Sequence, residues 1–429
     1  MIERYSHIPL TRRKFGQVLA GAGVGAAAFS TIKSAAAGGG SPFTIAMVPD
    51  PQNLAGGNPT CGGQTAYSAL IQWAVNNRNL SVNGTPLNIK GFLQVGDCVD
   101  YTYTSDTFNN QQQCAVNAYA LAEAANPKMF VVRCLGNHDY FTANGVLDRS
   151  TVAYMWRTDR SGAWSPANLA AIYSGGMDLG NGDVAYFGAS YADPLFPVSS
   201  INSYMRLLIQ GRKILVLSLE FYPRSAVLVW ARGIHDTYPD HECWVTTHGY
   251  VRTTGSRFAR ADLYGPNSYT LGASPVSNSG SEMWSGSDAS WNGFTKWPNL
   301  SLVTCGHDID GYANGWVWQR LQDISTSVKG QTVQQIFCNC QGQGTTGDLA
   351  NFCSSSPTTP DGATDAMHLM LLRIWPTTGK LEAFLVSTNS GKWIGAQGVV
   401  NQANPVQLFN VPFGAPATPG GLFPLPSAV

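Results

Sequence analysis

Residues 129–139 read Met-Phe-Val-Val-Arg-Cys-Leu-Gly-Asn-His-Asp. An apolar run of strand length stops at a glycine, and the turn that follows carries an amide, an imidazole and a carboxylate. The same grammar recurs on both sides of it. Phe43–Val48 runs into Pro49-Asp50-Pro51-Gln52, and Ile89–Val95 into Gly96-Asp97. Trp244–Thr246 runs into Thr247-His248-Gly249, and Leu300–Thr304 into Cys305-Gly306-His307-Asp308. Five apolar runs therefore end in Gly or Pro turns bearing Asp, Asn or His. Ligands of an open α/β sheet bind beyond the carboxyl ends of its strands, so five such ends can converge on one site.

Helical periodicity falls between these runs. Gln64–Asn77 carries Ala66, Leu70, Ile71 and Val75 on one face, Gln111–Ala125 reads as a second helix, and Ala226–Asp236 as a third. Further strands are expected at Val184–Gly188, Ile214–Leu219, Val333–Phe337, Leu369–Trp375 and Leu381–Val386. Strand and helix alternate early, which predicts an α/β fold; the later strands, with fewer helices between them, predict a second sheet layer. Residues 142–181 and 255–298 read as loop-rich insertions in a domain spanning 38–403, and residues 404–429 as a Pro- and Gly-rich arm. Trp284, Trp291 and Trp297 are expected to pack the second insertion onto the domain. His235, His241 and His368 match no motif and read as surface or packing residues.

Composition narrows the function classes. Charged residues make up 12% of the 429, about half the usual ~25%. Lys+Arg and Asp+Glu balance at 26 each, and no basic stripe marks a nucleic-acid surface. No run approaches the ~20 apolar residues of a membrane span, which excludes a multi-span protein. The N-terminus carries Arg12-Arg13-Lys14-Phe15, then a Gly/Ala-rich apolar run from Val18 to Ile32, then Ala35-Ala36-Ala37. That order is a secretory signal over 1–37, and the paired arginines make it similar to a twin-arginine signal. The expectation is an exported protein, periplasmic or extracellular, with the twin-arginine export machinery as a partner. Of nine cysteines none forms Cys-x-x-Cys, so a zinc ribbon is not expected. Cys134, Cys243 and Cys305 read as buried thiols, while Cys338, Cys340 and Cys353 are close enough in sequence for a short loop closure.

Asp, Asn and His together suit two adjacent divalent cations. Such a pair, ~3.5–4 Å apart, clamps a phosphate, lowers the pKa of a bound water and neutralises the transition state. The ordered series Asp50-x-Gln52, Gly96-Asp97-x-x-Asp100, Gly136-Asn137-His138-Asp139, His248 and Gly306-His307 resembles the calcineurin-like metallophosphoesterase family. Leu215–Tyr222 with Pro223-Arg224, Val333–Gln341 and Leu369–Trp375 also look like one branch of it. The resemblance implies a four-layer α/β/β/α sandwich of two mixed sheets flanked by helices. It implies Asp50 and Gln52 on a first metal, Asp97 bridging, and Asn137, His248 and His307 on a second. It implies His138 as proton donor and Asp139 as its orienter. This chain departs from the family pattern at Gln52, where His is usual, and at Ile309, where the last His of Gly-His-x-His is expected; Asp308 or Asp310 could compensate. The imidazole-rich second site then suits zinc, iron or manganese, and the oxygen-rich first site a labile manganese, magnesium or calcium. The expected activity is hydrolysis of a phosphate mono- or diester. The alternative is a degenerate member that holds one metal or a ligand without turnover, which the kept His138 opposes.

Overall fold

In β1 (Phe43–Val48), Phe43, Ile45 and Met47 enter one apolar core, and Ala46 and Val48 enter another. A strand buried on both faces needs no polar alternation, which is why its sequence is a continuous apolar run. The structure, a computed structural model, describes residues 41–413 apart from 56–62, 100–109, 144–145, 153, 157–162, 195–198, 265–276, 287–289, 309–317, 325–331, 340–367, 389–390, 395–399 and 403. The expected signal segment, Asp100, Ile309, Asp310, Cys61, Cys340, Cys353 and residues 414–429 lie outside the described residues.

The first sheet has the order β19 (Val400–Gln402), β18 (Trp393–Ile394), β17 (Lys380–Ser387), β16 (His368–Trp375), β1, β4 (Ile89–Gln94), β5 (Phe130–Arg133). β20 (Phe409–Pro412) also pairs with β17. β1, β4 and β5 are parallel, and β16 meets β1 antiparallel. The second sheet has the order β14 (Trp318–Ile324), β15 (Thr332–Cys338), β13 (Leu300–Cys305), β12 (Glu242–Thr246), β11 (Arg212–Ser218), β10 (Ser203–Ile209), β9 (Val184–Ser190), β8 (Met177–Asp178). Here β11, β12, β13 and β15 are parallel, flanked by antiparallel β10 and β14. Two small hairpins, β2 (Ser81–Val82) with β3 (Thr85–Pro86) and β6 (Tyr140–Ala143) with β7 (Val146–Val152), stand apart. The expected α/β class with mixed sheets is borne out.

The two sheets share a core. Phe43, Ile45, Leu93 and Phe130 from the first meet Ile214, Val216, Trp244 and Leu302 from the second. On the outer face of the first sheet lie α1 (Gln52–Ala55), α2 (Gly63–Asn76) and α3 (Asn110–Ala124), through Leu54, Tyr67, Leu70, Ile71, Ala115 and Ala118. On the outer face of the second lies α5 (Ser225–Thr237), through Val227, Leu228, Ala231 and Ile234. Their spacing of three or four residues gives each longer helix one apolar stripe, and each fully buried Leu or Ile contributes about 1.5–3 kcal/mol.

The two expected insertions hold more structure than their composition announces. The first contains α4 (Pro166–Ile172), started by Ser165 as N-cap and by Pro166. The second contains α6 (Gly280–Ser285), started by a Ser279–Glu282 capping box. Trp291 and Trp297 are fully buried with Phe294 beside the second sheet, as expected of packing residues. Within residues 404–429, β20 is an edge strand, and Phe413 is fully buried 6.2 Å from Trp244. Cys134, Cys243 and Cys305 are buried, as are His235, His241 and His368.

Candidate metal centre

Parallel strands carry their loops at the same end. Asp50 follows β1, Asp97 follows β4, and Asn137, His138 and Asp139 follow β5. His248 follows β12 and His307 follows β13. The carboxyl ends of both sheets meet, and Asp97, His248 and His307 each bring a ligand atom within 4.8 Å of the others. Three glycines make this approach possible. A Cβ on Gly96 would fall 2.2 Å from His248 Nδ1, one on Gly136 2.1 Å from Asp97 Oδ1, and one on Gly306 2.2 Å from Asp50 Oδ1. The glycine of each motif is therefore the space its neighbour's polar atom occupies.

His248 is fully buried and surrounded by acceptors. Its Nδ1 donates to the Val95 carbonyl at 2.7 Å, while its Nε2 faces Asn137 Oδ1 at 2.9 Å and Asp97 Oδ2 at 3.0 Å. With Nδ1 donating, Nε2 between two oxygens must carry either a proton or a cation. Burial opposes the charge, but Asp97 and Asp50 outweigh it and raise His248 to about 9. Burial likewise acts to raise Asp97, yet His248, His138 and His307 hold it at about 2. A divalent cation fits where that Nε2 proton stands, because Nε2, Asp97 Oδ2 and Asn137 Oδ1 already point there.

Asp50 and Gln52 each bring a buried oxygen without a partner among the described residues. Asp50 Oδ2 accepts from the His307 backbone N–H at 2.9 Å and from Asn339 Nδ2 at 2.6 Å. Asp50 Oδ1 and Gln52 Oε1 are buried and have no hydrogen-bond partner among the described residues. Two orphaned acceptors in a dry site demand a donor or a cation, and oxygen donors suit the harder divalent ions. Burial, with the charge of Asp97, raises Asp50 to about 7. His248 Nδ1 lies 3.6 Å from Asp50 Oδ1, which places that oxygen beside the His248 set.

His138 is half-buried, and its backbone N–H donates to Asp97 Oδ1 at 2.8 Å. Asp139 is fully buried; its Oδ2 accepts from Gly136 N at 2.8 Å and its Oδ1 from Val99 N at 3.3 Å. Those bonds tie the His138 turn to the Asp97 turn, so Asp139 orders His138 through the backbone. Burial and Asp97 raise Asp139 to about 8. Asp308 turns away from the centre: its Oδ2 accepts from Thr253 N at 2.7 Å and Thr253 Oγ1 at 3.0 Å. His307 is lowered to about 3 by burial and by His248.

Sequence reasoning missed Asn339. It follows β15, a strand expected from Val333–Phe337, but no Gly or Pro adjoins it to mark the turn as in the other five. No family model and no curated protein matches this sequence, so the resemblance in its motifs stands on the residues themselves.

Proposed function

We propose that this chain is an exported, metal-dependent phosphoesterase of the calcineurin-like metallophosphoesterase type, with that family's four-layer sandwich. The observation that carries the reading is the convergence of His248 Nε2, Asp97 Oδ2 and Asn137 Oδ1, with His307 beside them. Asp97, Asn137, His248 and His307 would hold one divalent ion, and Asp50, Gln52 and Asp97 a second. Bound there, the ions supply Lewis acidity toward a phosphoryl group and a lowered pKa for attacking water.

The chain's own residues do the rest. His138, half-buried beside Asp97, donates a proton to the departing ester oxygen. Asp139 and Gly136 hold the His138 turn against the Asp97 turn. Asn339 and the His307 amide fix one oxygen of Asp50, leaving the other directed at the centre. Zinc, iron or manganese suits the imidazole-bearing site, and manganese, magnesium or calcium the oxygen-rich one. Export through the twin-arginine machinery would deliver the folded, metal-loaded chain beyond the cytoplasm. Among the described residues no helix is long and apolar enough to cross a membrane.

One observation favours the degenerate one-metal binder: Asp308, the nearest candidate to compensate for Gln52, is committed to Thr253. A screen of nitrophenyl mono- and diesters with manganese, magnesium and zinc separates the two. Metal-dependent release of nitrophenol supports the phosphoesterase; metal bound firmly with no turnover of either ester supports the binder.

A further inference from the structure

The two histidines of the centre are held in unlike ways. His248 has a hydrogen bond from Nδ1 to the Val95 carbonyl. Metal-binding imidazoles ordinarily have such a partner, which fixes both tautomer and ring angle. The His307 ring has none among the described residues; only its backbone N–H is engaged, by Asp50. Three aromatic rings surround it instead. Phe221 lies 4.7 Å away at 60°, Phe258 5.5 Å away at 48°, and Tyr222 6.1 Å away at 83°, measured between ring centroids and planes. The His248 ring closes the fourth side at 4.9 Å.

The chain is shaped around these rings. A Cβ on Gly249 would fall 2.8 Å from Tyr222 and 2.9 Å from Phe221 ring atoms, so the residue after His248 has no side chain. Tyr222 has φ +45° and His307 φ +78°, a region that bulky side chains rarely adopt. The turn bearing Tyr222 is fastened on both flanks. The Pro223 carbonyl accepts from Asn278 N at 3.1 Å and Asn278 Nδ2 at 2.9 Å. Arg224 donates from N at 3.0 Å and Nε at 2.8 Å to Glu220 Oε1, and pairs with Asp193.

We propose that Phe221, Tyr222 and Phe258 form an aromatic socket that positions His307 as a metal ligand, in the place that a hydrogen bond from the described residues fills for His248. This rests on the metal-binding reading above. Tilted and edge-on rings fix the imidazole plane by shape and quadrupole. The three aromatics are positioning residues: they act through His307.

The test is a double-mutant cycle on zinc affinity, measured by competition against a chromophoric chelator. Phe221→Leu keeps most of the apolar volume and removes the ring. It should weaken zinc binding ~10-fold, the lower end for the loss of a ligand's support, and should have no further effect in a His307→Ala background. Phe258→Leu, at the less buried wall, runs the same cycle should Phe221→Leu fail to fold. Tyr222→Phe keeps the ring and should bind as wild type. Gly249→Ala must displace two rings and should weaken binding although it supplies no ligand. Wild-type affinity in both Leu variants, or losses undiminished without His307, would overturn the socket while leaving the metal centre standing. A wild-type protein that binds no divalent ion would overturn both.

Discussion

Gly136→Ala adds one methyl group at the tightest contact of the centre. The new Cβ would sit 2.1 Å from Asp97 Oδ1, 2.2 Å from Asp97 N and 2.8 Å from its carboxyl carbon. Real Cβ atoms stay at least 3.0 Å from such neighbours. Because one of the three atoms is backbone, turning the Asp97 side chain cannot relieve the clash; the two turns must separate. The separation needed is about 1 Å, and a misplacement of that size costs about 10²-fold in rate. The bonds from His138 N to Asp97 Oδ1 and from Gly136 N to Asp139 Oδ2, both 2.8 Å, lie in the same turn and should lengthen. Overpacking should also cost about 1–3 kcal/mol of stability. Gly91→Ala is the control, since its Cβ would meet the Phe130 ring at 2.4 Å in β5, away from the metal ligands. The assay is urea unfolding beside metal affinity and nitrophenyl phosphate hydrolysis. Both variants should lose stability, and only Gly136→Ala should lose ~10²-fold in rate. Gly136→Ala with wild-type metal affinity and rate, or equal rate losses in the two variants, would refute the reasoning.

His138→Ala should keep its metal and lose ~10²–10⁴-fold on esters with poor leaving groups, but much less on activated aryl esters that need no proton; equal losses on both would remove His138 from the proton-donor role. Metal-free protein should lose stability as pH rises. Asp50 and Asp139, raised from 3.8 to about 7 and about 8, and His248, raised from 6.5 to about 9, bind protons more tightly folded than unfolded. Their contributions are fully present below the unfolded values and are lost as pH passes the folded ones. Asp97, held at about 2, acts oppositely and only in acid: its contribution is present above 3.8 and is lost as pH falls through 2. A divalent cation displaces the retained protons, so the rise in Tm on adding metal should grow between about pH 6 and about pH 9. Thermal scans in which that rise shrinks over the range would contradict it. Arg12→Lys with Arg13→Lys should leave precursor in the cytoplasm, read by fractionation and immunoblot, because the pair is recognised by a receptor; undiminished export would exclude the twin-arginine route.

The central strands were legible because they are buried on both faces, so Phe43–Val48 reads as one apolar run with clear ends. β10 was missed although Ser203–Ile209 is almost wholly buried: Arg206 interrupts its pattern, and that side chain is housed over the Tyr238 ring at 5.2 Å. β14 was missed because Trp318–Ile324 is a half-exposed edge strand with polar residues throughout. At the site, strand-end polar residues named every member of the converging set. Asn339 and the ring contacts of Phe221, Tyr222 and Phe258 were not legible as parts of it. Their roles depend on which loops meet across two sheets, and distance along the chain does not encode that. The fate of Asp308 was open for the same reason: only the fold decides between Thr253 and the centre.

The most direct test is elemental analysis of the purified protein before and after dialysis against a weak chelator, read with nitrophenol release by wild type and Asp97→Asn. The account predicts one firmly held transition metal and one labile, harder ion. It predicts activity that leaves with the labile ion and returns with manganese or magnesium better than with zinc. It predicts no metal and no activity in Asp97→Asn, because a neutral amide cannot offset two cations. Wild-type protein that takes up no metal, or an Asp97→Asn variant with full metal and full rate, would contradict it.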